Sequence, residues 1–261
     1  SSGLAAAFGL AVTATMAITS ILFGLVARQH WGWSRLRVGA LVGLFLIGDL
    51  AFLSAYLAKI VDGGWIPLSI GGALLMIMTT WRRGREELLR YLSRSALPLD
   101  AFLSDLRGHS LYRPPGAAVF LTGAPGVAPL HLLHQIKHNK SLHEQVFLLS
   151  IITQRIPEVP DAERLEVADF GNGIFQITGR YGYMEQPNIP VLMERCSALR
   201  PASGPPSYFL GRETVLPTGP GAMARWRKQV FAFLHVNASS VTAYFQLPPN
   251  RIVELGAQLE L

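Results

Sequence analysis

The stretch that most constrains this chain is Val38–Ala58, VGALVGLFLIGDLAFLSAYLA, an apolar run interrupted by one charge, Asp49, near its midpoint. A helix of about 20 apolar residues rising about 1.5 Å each spans the roughly 30 Å hydrocarbon core of a bilayer. A carboxylate at that depth is costly, so it faces protein or water rather than lipid and often marks an ion or proton path. Asp49 therefore either holds its helix to a neighbour through a hydrogen bond or relays protons or cations. No second ionisable residue accompanies it at the same depth, which favours the hydrogen bond.

Two further runs frame it. Residues 1–27 carry no charge, and Ala6, Gly9, Thr13, Ala17, Ser20 and Gly24 recur at helical spacing as a small-residue stripe suited to close helix packing. The hydroxyls of Thr13 and Ser20 are also candidates for lining a substrate path. A third uncharged run, Gly63–Trp81, ends at Arg82, Arg83 and Arg85. Three spans are thus expected, at about 3–27, 38–58 and 64–81. Arg28, Arg35 and Arg37, with Trp31 and Trp33, make the first connection cytoplasmic by the positive-inside rule, which also places everything after residue 81 in the cytoplasm. Gly39 and Gly43 form a GxxxG pair on the second span, and Asp49 shares a helical stripe with Phe45, Phe52 and Tyr56.

The charge balance follows the same division. Residues 1–96 hold nine basic and four acidic side chains, and the remainder hold fourteen and thirteen, so nearly all of the net +6 belongs to the membrane part. The nearly neutral C-terminal part argues against nucleic acid as a partner. One cysteine, Cys196, excludes an internal disulfide. The opening Ser-Ser-Gly leads into apolar sequence without a basic n-region or a cleavage site, so it does not read as a signal peptide, and the chain is expected to be a fragment of a longer protein.

Residues 82–106 read as an amphipathic linker broken at Pro98, lying along the membrane or on the domain that follows. From 107 to 261 strand and helix patterns alternate. Strands are expected at 117–122, 145–152, 165–170, 174–181 and 208–210, with an extended C-terminus at 251–255. Helices are expected at 130–138, 191–199 and 223–235. This describes an α/β domain of about five strands. Gly171-Asn172-Gly173 reads as a hairpin turn. Gly123-Ala124-Pro125-Gly126, between a strand and a helix, is either an ordinary turn or an anion-binding loop that Arg113 joins, but it lacks the Lys and Ser/Thr of a Walker loop. His131, His134 and His138 share a helix face, yet no Cys or carboxylate cluster completes a zinc site, and no enzyme motif is present.

Eight blocks in order carry a resemblance: LAVTATM (10–16), GGWIP (63–67) after the Asp49 span, TWRRG (80–84), RPPGAAVFLT (113–122), KHNKSLHE (137–144), RYGYME (180–185), YFLGRE (208–213) and LPPNRIVELG (247–256). Together they resemble the C-terminal half of the bacterial KUP/HAK/KT-family potassium uptake permeases. The resemblance implies proton-coupled potassium symport without a cofactor, K+ and H+ being the transported ions. It also implies the last three of about twelve spanning helices of an amino-acid-permease-like core in the bacterial inner membrane, followed by a cytoplasmic α/β domain. The implied partners are membrane lipid, the N-terminal helices of the same protein and, through the cytoplasmic domain, a second copy. Some relatives suggest a nucleotide-sensing role for that domain. Asp49, Thr13 and Tyr56 are the candidate transport-related residues; Gly123, Gly126 and Arg113 are the candidates for the anion loop. The chain departs from the family pattern at Phe8, Ala14, Tyr56 and Asp62, so no polar pair is carried onto positions 49 and 56.

Overall fold

The computed structural model describes residues 2–106, 108, 111–196, 204–219 and 223–260. It falls into two compact units, Ser1–Thr79 and Thr80–Leu261.

In the first unit, α1 (Ser2–Gln29) and α2 (Arg35–Leu57) are, among the described residues, the helices whose whole length is long and apolar enough to cross a membrane. Ser34 caps α2, its hydroxyl accepting from the Arg37 N–H. The small-residue stripe of α1 is the buried face of the pair: Ala6, Gly9, Thr13, Ala17 and Gly24 are all buried, while Leu4, Phe8, Leu22 and Leu25 point outward. This is the packing logic of membrane helices, where small residues let backbones approach and large apolar ones face outward. Gly39 and Gly43 do not take part, since a methyl added at either would meet nothing within 4 Å. After α2 the chain turns through Ile60–Gly64, where Gly63 at φ 133° brings the turn against the backbone of Gly3. It then enters α3 (Trp65–Ser95), whose uncharged portion, Trp65–Trp81, is followed by Arg82 and Arg83.

The second unit is built on a six-stranded sheet. After β1 (Leu97–Pro98) and α4 (Leu99–Leu106) come β2 (Ala117–Thr122), β3 (Val127–Ala128), α5 (Leu130–His134), β4 (Gln145–Gln154), β5 (Leu165–Asp169) and β6 (Ile174–Gly182). Then follow α6 (Ile189–Glu194), β7 (Ser207–Leu216), α7 (Arg225–Val236), α8 (Val241–Tyr244) and β8 (Ile252–Glu260). The order is β5-β6-β4-β2-β7-β8, all parallel except β5, which pairs antiparallel with β6 across the Gly171–Gly173 turn. β1 and β3 form a separate two-stranded ribbon. The sheet thus has six strands rather than five, and β7 is much longer than the expected 208–210 because β8 pairs with it as far as Leu216. The helix expected at 191–199 begins earlier, at Ile189, and residues 197–199 lie outside the described residues.

Alternation along the strands sends two sets of side chains to opposite faces. One core layer gathers Val119, Phe147, Leu149, Ile177, Leu192 and Leu210; the other gathers Phe120, Leu132, Leu148, Ile174 and Phe209. Leu99 and Phe102 of α4 belong to the second layer, so this end of the 82–106 segment packs on the sheet. A third cluster joins the C-terminal half of α3 to α7 through Leu88, Val215, Phe231 and Leu259. At the other edge, Glu185 accepts from the N–H groups of Gly182 and Val159 and from Arg164. Those N–H bonds first, then the guanidinium, hold its carboxyl down to about 2. The RYGYME block is therefore a clasp that ties the end of β6 to the loop after β4.

Candidate functional site

Helix pairing in the first unit brings one of the sequence candidates onto a member of the opposing stripe. Asp49 is buried, and its Oδ2 accepts a 2.5 Å hydrogen bond from the Ser20 hydroxyl of α1. Both residues border an open groove of about 670 Å³ lined otherwise by Phe8, Val12, Met16, Phe23 and Phe45, among others. Thr15 and Thr19 also line it, but their hydroxyls turn back to the carbonyls of Ala11 and Thr15. Asp49 is the only ionisable residue among those lining the groove.

The other two transport candidates lie elsewhere on the same interface. Thr13 is buried and donates to the carbonyls of Gly9 and Leu10 within its own helix. Tyr56, two turns after Asp49, lies over Gly9: a Cβ at Gly9 would fall 2.1 Å from the tyrosine Cε1. Glycine at position 9 is the space the ring occupies. Of the expected Asp49 stripe, Tyr56 lies with Asp49, Val38 and Val42 on the face α2 turns to α1, Phe45 lines the groove beside Asp49, and Phe52 is exposed.

The anion-loop candidates separate. Gly123–Gly126 follows the carboxyl end of β2, whereas Arg113 precedes its amino end and donates to the carbonyls of His143 and Asn172. A six-residue strand at about 3.3 Å per residue holds the two ends roughly 20 Å apart, so Arg113 does not serve the loop. Nor is the loop a direct strand-to-helix turn, because β3 intervenes before α5. The Gly126 N–H donates to Gln176 Oε1 on β6, and the Gly126 carbonyl accepts from the Leu99 N–H. Beside it, Thr122, Ser150 and Thr178 align in one row across β2, β4 and β6, and the fully buried Ser150 hydroxyl has no hydrogen-bond partner among the described residues. This carboxyl edge includes the point where the strand order reverses direction from β2, the usual crevice for ligands in such sheets. Neither the row nor the buried Ser150 was apparent from composition; only the register reveals them.

The histidines do separate packing work. His131 stacks on Phe120 with ring centroids 5.7 Å apart, while His134 meets His138 edge-on. Burial, with a smaller contribution from His134, pushes His131 down to about 4, so it is neutral at pH 7.

Comparison with known proteins adds the family. Residues 1–86 match the K+ potassium transporter integral membrane domain, and residues 115–261 match the K+ potassium transporter C-terminal domain. The whole chain aligns at 49% identity with a probable potassium transport system protein Kup of Anaeromyxobacter sp. (strain Fw109-5), covering 40% of that protein. It aligns at 47% with a protein of the same description from Myxococcus xanthus (strain DK1622), and at 47% with one from Syntrophobacter fumaroxidans named Kup 1. In both cases the whole chain again covers 40% of the relative. Two domain matches in tandem, with relatives that are potassium transport proteins rather than enzymes, place this chain in the Kup potassium transporter family.

Proposed function

We propose that this chain is the C-terminal portion of a potassium uptake transporter, driven by proton symport, with α1, α2 and Trp65–Trp81 of α3 crossing the inner membrane and the second unit in the cytoplasm. The observation that carries the reading is the tandem match of a membrane-domain model and a C-terminal-domain model over one chain. The groove along α1 and α2 supports a further step: the remaining membrane helices of the parent protein cover this apolar surface. Asp49, with one oxygen engaged by Ser20, is a positioning residue at that seam, and a single carboxylate in an apolar groove does not supply the oxygen cage a potassium ion needs.

The test is rubidium uptake by the full-length transporter in a bacterium lacking its own potassium uptake systems. Wild type restores uptake, and collapsing the proton gradient abolishes it. Asp49→Asn keeps an acceptor for Ser20 and retains most of the uptake. Asp49→Leu removes an interhelical hydrogen bond of about 0.6–2 kcal/mol and lowers the amount of assembled transporter severalfold. Loss of uptake in Asp49→Asn at normal protein level would move Asp49 into the proton path.

A second reading, favoured by one specific observation, is that the cytoplasmic unit senses a nucleotide. The unpartnered Ser150 hydroxyl, in a row with Thr122 and Thr178 beside the Gly123–Gly126 loop, supports it. Calorimetric titration of the full-length transporter with adenine nucleotides and cyclic dinucleotides should then give heat that Ser150→Val reduces; flat titrations remove the reading. A dimerisation module is the simpler alternative for the same domain, and mass photometry of the purified transporter decides it.

A further inference from the structure

Helix α7 has a buried face and an exposed face of opposite use. Phe231 is fully buried, sits 5.6 Å centroid to centroid from Trp81, and fills the space at Gly84, where a Cβ would lie 2.2 Å from its ring. Arg227 Nε donates to the buried hydroxyl of Thr80 at 3.0 Å, and Lys228 Nζ donates to the Gly219 carbonyl. On the opposite side, Trp226 and Phe233, seven residues and so two helical turns apart, are 50% and 69% exposed, with Val236 at 78%. A helix whose outward face carries a tryptophan and a phenylalanine has the amphipathic character of an interfacial element.

Its level relative to the bilayer follows from its neighbours. Thr80 and Trp81 close the uncharged run of α3, and Arg82, Arg83 and Arg85 follow at once. That is where a spanning helix meets the cytoplasmic headgroups. A helix packed on residues 80, 81 and 84 lies at the same level. Charge points the same way. No acidic residue occurs between Glu213 and Glu254, and Arg225, at the start of α7, is exposed.

We propose that α7 is an interfacial helix, with Trp226 and Phe233 dipping into the cytoplasmic leaflet and Arg225 attracting anionic lipid headgroups. The proposal rests on the reading that Trp65–Trp81 crosses the membrane. Its effect is to tie the C-terminal domain to the bilayer at a second point besides α3, so that lipid composition bears on how the domain is held.

The test places an environment-sensitive fluorophore on single cysteines in a background of the full-length transporter from which Cys196 and any other cysteine have been replaced by serine. The sites are Phe233→Cys, Tyr112→Cys as an exposed reference and Leu75→Cys within the apolar run. Vesicles contain equal parts phosphatidylglycerol and phosphatidylcholine, or phosphatidylcholine alone. In the anionic vesicles the label at 233 should be quenched by lipid carrying a nitroxide near the headgroup and shielded from aqueous iodide, while the label at 112 shows the reverse. Each basic residue near an anionic surface strengthens attraction about fivefold, so Arg225→Glu or removal of phosphatidylglycerol should weaken lipid quenching at 233 by at least about that factor. Iodide quenching at 233 equal to that at 112 overturns the proposal. So does shielding from both quenchers, which means that protein, either the rest of the chain or a second copy, covers the face. So too does lipid quenching that ignores charge. Iodide access at 75 would instead overturn the crossing of α3, a failure distinct from that of α7.

Discussion

Truncating Phe231 to alanine is expected to cost about 3–5 kcal/mol, the range for a fully buried aromatic side chain. Its ring is the centre of the cluster that includes Leu88, Val215, Met223 and Leu259, and it contacts both Trp81 and the face of Gly84. Little can move in to fill the space, because β7 and β8 are held in register along their length and α3 is a continuous helix. The loss should be local rather than global, since the two core layers on the sheet faces share no buried member with this cluster. Hydrogen exchange on the full-length protein would then show the amides of 225–236 exchanging about 100-fold faster or more, with β2 and β4 unchanged. Uptake should fall with it if the docking of α7 on α3 matters for transport. Uniform acceleration across the sheet would mean that the third cluster and the sheet unfold as one unit.

What the sequence disclosed and what it withheld divide along physical lines. The small-residue stripe of α1 was legible because helical period and residue size suffice to mark a packing face, and Ala6, Gly9, Thr13, Ala17 and Gly24 are buried. The GxxxG at Gly39 and Gly43 marks a small face that α1 does not use, since that spacing fixes where a close neighbour could sit and not which helix it is. The partner of Asp49 was beyond reach: Ser20 lies 29 residues away, and which stripe member faces the carboxylate depends on the stagger of the two helices. In the domain, β2 was readable to the residue because a central parallel strand is apolar on both faces. β7 was cut short because Gly211, Arg212, Glu213 and Thr214 look like a loop, although β8 continues to pair with them. The separation of Arg113 from Gly123–Gly126 is similarly topological. Closeness in sequence across an extended strand is distance in space.

Acidification should expose the role of His131 in the second unit. Its ring is buried against Phe120 and its Nε2 has no hydrogen-bond partner among the described residues, so a proton added there has nowhere to be solvated. The folded value near 4 lies below the ordinary 6.5, so the unfolded chain takes up the proton first as pH falls. Stability from this group is complete above about 6.5 and is lost progressively down to about 4. At 1.36 kcal/mol per unit, the loss between pH 7 and 4.5 is about 2–3 kcal/mol. Other groups bracket this window. Burial also lowers His143, which adds loss of the same sign, whereas Glu185, held near 2, gives up its contribution only below about 4.5. His131→Phe keeps an aromatic ring on Phe120 and removes the proton site. The urea midpoint for the second unit, followed by hydrogen exchange of β2 and β4, should therefore fall less between pH 7 and 4.5 in the variant than in the wild type. An unchanged pH slope would mean that His131 accepts its proton without unfolding pressure, through a rearrangement of α5 that brings a partner to Nε2. A steeper slope would place the acid-sensitive group elsewhere, with His143 the next to be replaced.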